Sequence, residues 1–182
     1  MKKLLFAICL PIIGAVVGCY KPEAVLFKDN STAMPAAKTG WKATASSETP
    51  DGWENTGKAS AVIDNNINTY WHSDYSTAPQ PAYPHWIIID MATPQKMVSV
   101  ALTNRQGATP QTRGMRKFKL QGSTNGTAFT DMGTFNFAVT NAAQSFAVSP
   151  ATAYRYLRIE MLESNAAALH SFLAEVDVFV AK

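Results

Sequence analysis

Residues 59–76, ASAVIDNNINTYWHSDYS, bring together side chains whose types and spacing could do chemistry. Asp64, Asn65, Asn66, Asn68 and Thr69 offer a run of oxygen donors, closed by the aromatic pair Tyr70-Trp71 and followed by His72, Asp74 and Tyr75. A loop rich in Asp, Asn and Thr oxygens and pinned by a bulky ring can wrap a hard cation. The same residues can equally form a set of Asx-type turns with no ion. At the level of residue types both readings stand.

Catalytic chemistry finds little support. The chain holds no Gly-x-Ser-x-Gly elbow, no His-Glu-x-x-His and no phosphate-cradling glycine loop. Its three histidines, His72, His85 and His170, lack the context of a serine triad, and no carboxylate pair is placed for glycoside hydrolysis. The two cysteines are Cys9 and Cys19, so nothing beyond residue 19 can form a disulfide, a thiolate metal site or a thiol nucleophile. The expectation is a non-enzyme.

Composition points to one packed domain with appendages. Of the 182 residues 47% are hydrophobic and only 16% charged, a balance that argues against disorder. There are 16 basic and 13 acidic residues, and Lys2 and Lys3 belong to the N-terminal leader; without them 14 face 13, a net of +1. That gives no electrostatic case for nucleic acid.

The leader itself indicates compartment. Met1-Lys2-Lys3 is a positive n-region, and the apolar run Leu4–Val17 is too short for a transmembrane helix but fits a signal h-region. It ends in Val16-Val17-Gly18-Cys19, which resembles the bacterial lipobox. The resemblance implies a signal peptide over 1–18, a lipid-bearing Cys19 and attachment to a bacterial cell envelope, at the outer membrane or cell surface. Residues 19–40, with two prolines and no clear period, read as a tether.

From Trp41 onward short apolar or alternating runs are separated by turn-forming clusters, with no sustained helical period. Strands are expected at His85–Asp90, Met97–Thr103, Phe118–Gln121, around Phe135 and Phe137, Gln144–Val148, Tyr154–Glu160 and Leu173–Val180. Asn125-Gly126 marks a hairpin turn. Trp71 and Trp86 are assigned to the core, His85 to a structural role, and Asp90 to a strand end. Seven or eight such strands imply an all-β sandwich or jelly roll.

The order of these pieces resembles a discoidin-like domain, the C-terminal type of coagulation factors V and VIII, and especially the bacterial family 32 carbohydrate-binding modules. The resemblance runs through Trp41-Lys42-Ala43-Thr44-Ala45-Ser46-Ser47, Gly57 to Asp64, Asn68-Thr69-Tyr70-Trp71-His72-Ser73, Pro84 to Asp90, Thr103-Asn104-Arg105-Gln106, Tyr154 to Ile159 and Ala174 to Phe179. It implies an eight-stranded jelly-roll β-sandwich of the galactose-binding-domain-like kind over residues 41–182.

The family commonly carries a structural Ca²⁺ where the chain ends meet. Carried over, its ligands are the carbonyls of Ala61, Asn66 and Ala174, the carboxylates of Asp64 and Glu175, and Thr69; such an oxygen set suits Ca²⁺ better than Mg²⁺. One departure is Asn65, where the family usually has glycine; asparagine tolerates the left-handed backbone that position requires. In galactose-binding members a histidine, an arginine and an aromatic form a shallow sugar site. His72, Arg105 and Tyr75 fall at those positions, with Glu54 as a further acceptor and Phe172 as a second platform.

The resulting expectation is a lipid-anchored module that binds galactose-type or related glycans weakly, and is attached to the membrane only through its anchor. Docking of a protein partner at the envelope is the alternative use of the same loops.

Overall fold

Alternation along the strands decides which faces meet. The computed structural model describes residues 33–54 and 56–182; the leader, Cys19 and most of the expected tether lie outside the described residues. In β4 (His85–Gln95), Ile87, Ile89 and Met91 point inward, essentially without exposure. Leu157, Ile159 and Met161 of β9 (Tyr154–Ser164) and Phe118 and Leu120 of β6 (Met115–Ser123) do the same. Period-two alternation places every second residue on one face, so these strands share one apolar layer.

These three strands form the centre of a five-stranded sheet in the order β2-β4-β9-β6-β7, with β2 (Lys42–Ala45) and β7 (Thr130–Asn136) at its edges. The facing sheet runs β1-β11-β5-β8, comprising Ala33–Pro35, Glu175–Ala181, Met97–Thr103 and Gln144–Ala147. Val100 and Leu102 of β5 and Val176 and Val178 of β11 are its inward contribution. A two-residue ribbon, β3 (Trp71–His72) with β10 (Phe172–Leu173), closes one end. The strand ladders are antiparallel, and the whole is a jelly-roll sandwich. Eight of its strands make the body expected from the sequence; β1, β3 and β10 are short additions.

Three expectations change. Residues 33–40 are not tether: Ala33–Pro35 pair with Phe179–Ala181, and Ala36 N–H donates to the Val178 carbonyl at 2.8 Å. The folded unit therefore begins before Trp41. Trp86 is not in the core, because its position in β4 alternates outward; it is half-buried, with the Arg158 guanidinium 5.9 Å from its ring. Asp90 does not end a strand. It sits at a bulge where β4 continues to Gln95, accepts from the Ala92 amide, and takes a two-pronged ion pair from Arg155 at 2.7 and 2.8 Å.

Candidate functional site

The β3–β10 ribbon buries two adjacent residues that make different contacts. Trp71 is fully buried, and its indole N–H donates to the Ser47 carbonyl at 2.9 Å. His72, paired with Phe172, is itself 5% exposed and packs among the loop rings. Its Nδ1 lies 2.7 Å from the Ser73 carbonyl. A carbonyl only accepts, so Nδ1 carries the proton and a neutral imidazole keeps Nε2 as an acceptor. Burial pushes the His72 pKa below its ordinary value.

Around this imidazole the loops bring a set of rings. Tyr75 lies 4.6 Å away between centroids, His170 5.2 Å, Phe172 5.7 Å and Tyr70 6.5 Å. Arg105, just past β5, places its guanidinium 4.1 Å from the Tyr70 centroid and 5.8 Å from that of Phe172. The Tyr70 hydroxyl donates to Glu54 Oε2 at 2.7 Å. Burial, reinforced by that carboxylate, raises the Tyr70 pKa. Glu54 Oε1 is buried without a hydrogen-bond partner. His72, Tyr75, Arg105 and Glu54 are thus brought to one end of the sandwich, as the resemblance implies.

Phe172 is placed differently. At 3% exposure its ring packs inside, against Gly114 and His72, and offers no open platform. The exposed ring at this end is Trp53, 57% accessible and edge-on to Tyr75 at 6.0 Å. Sequence reasoning missed Trp53, Tyr70 and His170. A large aromatic in the turn Asp51-Gly52-Trp53 was the available signal, since nothing in a polar turn requires an indole. His85 keeps the structural role: its Nε2 meets the Leu169 carbonyl at 2.7 Å beneath Tyr83 and Trp71.

The arrangement suits recognition of a polyhydroxylated ring. An aromatic surface can cover a sugar's C–H face, while a guanidinium, a carboxylate oxygen and an imidazole nitrogen satisfy hydroxyls. His72 gives its proton to a backbone carbonyl, which fixes the tautomer and holds Nε2 as an oriented acceptor.

A second group of residues lies where the chain ends meet. The short 3-10 helix Ala59–Ile63 packs against β11 and leads into Asp64. Asn65 follows at φ 62°, the left-handed conformation that glycine or asparagine accepts. Thr69 Oγ1 then sits 2.7 Å from both Asp64 Oδ2 and the Asn66 carbonyl oxygen. One hydroxyl proton can serve only one of them. Glu175, 3% exposed, has Oε1 at 2.5 Å from Lys38 Nζ and Oε2 without a partner. Burial raises its pKa, partly offset by Lys38. Among the described residues no three His, Cys, Asp or Glu side chains converge, so a cation here would depend on carbonyl and hydroxyl oxygens beside two carboxylates. The crowded acceptors around Thr69 and the partnerless Glu175 oxygen fit such an ion.

Residues 42–175 match the F5/8 type C domain. The chain belongs to that family. Among curated proteins it is 31% identical over 122 residues to a sialidase of Micromonospora viridifaciens, a match covering 67% of this chain but only 18% of that enzyme's length. Among solved structures it is similar to a family 32 carbohydrate-binding module from Clostridium perfringens, in complex with GalNAc-β-1,3-galactose. There the TM-score is 0.70 and the identity 25%, over 80% of this chain and 99% of the other. The C-terminal domain of a chitobiase from Bacteroides fragilis is similar to the same degree, with a TM-score of 0.70 and 28% identity over 80% of this chain and 96% of that one.

Proposed function

We propose that this F5/8 type C domain is a non-catalytic carbohydrate-binding module that takes galactose-type glycans at the loop end. The observation that carries the reading is the convergence of His72, Arg105, Glu54 and Tyr75 with the exposed ring of Trp53 beside them. Support comes from the GalNAc-β-1,3-galactose held by the clostridial module. In this reading the sugar's apolar face lies on Trp53 and Tyr75. Arg105 donates to ring hydroxyls, while the Glu54 carboxylate and the buried His72 imidazole brace Tyr70 and Tyr75 beneath the sugar. An open site of this kind binds weakly, and display of many copies on an envelope multiplies its effect. The lipobox-like sequence ending at Cys19 supplies the anchor in this proposal.

The same reading gives Ca²⁺ a structural place, held by Asp64, Thr69, Glu175 and the carbonyls of Ala61, Asn66 and Ala174. The ion would tie the loop after the 3-10 helix to the start of β11, away from the sugar.

A glycan array followed by calorimetric titration with galactose, N-acetylgalactosamine and lactose tests the sugar reading. Saturable binding to one of the three, lost in Arg105→Ala with the fold retained, is expected. No binding to any array member by a folded protein overturns it.

A further inference from the structure

The turn after β1 places a lysine beside a buried carboxylate, Glu175, and a part-exposed one, Asp177, at the start of β11. Lys38 Nζ lies 2.5 Å from Glu175 Oε1 and 2.8 Å from Asp177 Oδ1. Its side chain is only 8% exposed and that of Glu175 4%. The position is built, because β1 pairs with the end of β11, Ala36 N–H binds the Val178 carbonyl, and Trp41 N–H binds the Lys38 carbonyl at 3.1 Å. Gly40 turns the chain at φ 75° into Trp41 and β2. A buried carboxylate with no cation beside it is costly, so something must neutralise Glu175 whenever no metal is bound.

We infer that Lys38 is the resident cation of this junction, closing the chain's two ends through Glu175 and Asp177 and making the fold independent of a bound metal. The inference builds on the calcium reading in one respect only: Glu175 is claimed by both cations. Lys38 holds Oε1 and leaves Oε2 over, so the lysine supplies in advance part of the charge a divalent ion would bring. A metal added to the wild-type domain then has little left to stabilise. Once the ammonium is removed, a divalent ion can supply the missing countercharge to Glu175.

Thermal unfolding of the full domain in EDTA and in millimolar CaCl₂ tests this, with wild type, Lys38→Met, Lys38→Arg and the double variant Lys38→Met/Glu175→Gln. Wild type should melt within a few degrees in the two buffers. Lys38→Met should lose roughly 5–15 °C in EDTA, as expected for a buried pair missing one partner. It should recover much of that in calcium. Lys38→Arg should stay near wild type, and the double variant should regain part of the loss, because no charge is left stranded. If Lys38→Met melts like wild type in EDTA, or if wild type itself drops in EDTA as far as the variant does, the inference is overturned. If Lys38→Met is destabilised but calcium restores nothing, the lysine clasp is supported and it is the calcium reading that falls.

Discussion

The Arg105 guanidinium lies 4.1 Å from the centre of the Tyr70 ring, and the Tyr70 hydroxyl in turn donates to Glu54 at 2.7 Å. Cation, ring and carboxylate therefore hold one another in register. The arginine rests on a π-face, which holds its guanidinium beside the rings. Among the described residues it makes no ion pair.

Arg105→Ala should weaken galactoside binding by about 10- to 100-fold, the scale of losing hydrogen bonds from a charged donor. Its melting temperature should stay within a few degrees of wild type. Calorimetry and a thermal melt on the same sample separate these two effects, and Arg105→Lys should recover only part of the binding.

Trp53 makes a distinct prediction because it is so exposed. Trp53→Ala should leave stability unchanged and reduce sugar affinity roughly 2- to 10-fold, as for loss of one stacking surface. Quenching or a blue shift of indole fluorescence on titration with galactose should disappear in the variant. Retention of the full spectral response would show that Trp53 does not touch the ligand.

The two tryptophans assigned together from the sequence should respond differently. Trp71→Ala should cost about 3–5 kcal/mol, because a fully buried indole leaves a cavity and an unpaired Ser47 carbonyl. Trp86→Ala, which uncovers an outward face, should cost only about 1–2 kcal/mol. Urea denaturation of the two variants checks the contrast.

Stability should also fall with acid in a defined window. Burial, the largest cause in each case, holds His72, His85 and His170 below the ordinary imidazole value of 6.5. In the unfolded chain they bind protons at higher pH than in the folded one. Their contribution is therefore fully present above about pH 6.5 and is lost as pH falls through the depressed folded values. Melts between pH 7.5 and 5 should show this decline, and NMR titration of the three imidazoles should give midpoints below 6.5.

What the sequence determined by itself was the sandwich. Period-two alternation in Phe118–Gln121 and Tyr154–Glu160, and the β-branched run His85–Asp90, mark strands without tertiary information. The turn chemistry of Asn125-Gly126 and Asn65 likewise depends on the residue's own backbone preferences. Motif order also marked His72, Tyr75, Arg105 and Glu54 for the same end. Only the tertiary structure decided which face each residue met. Alternation cannot say which of its two faces is inside, so Trp86 turned outward while Trp71 went in. It buried Phe172 and left Trp53 open, since packing of Gly114 against the Phe172 ring is a contact between distant segments. Pairing of Ala33–Pro35 with β11 was invisible for the same reason: three residues carry no period, and their strand exists only because an unpaired edge was there to receive them. That pairing brings Lys38 to Glu175 across 137 residues of sequence.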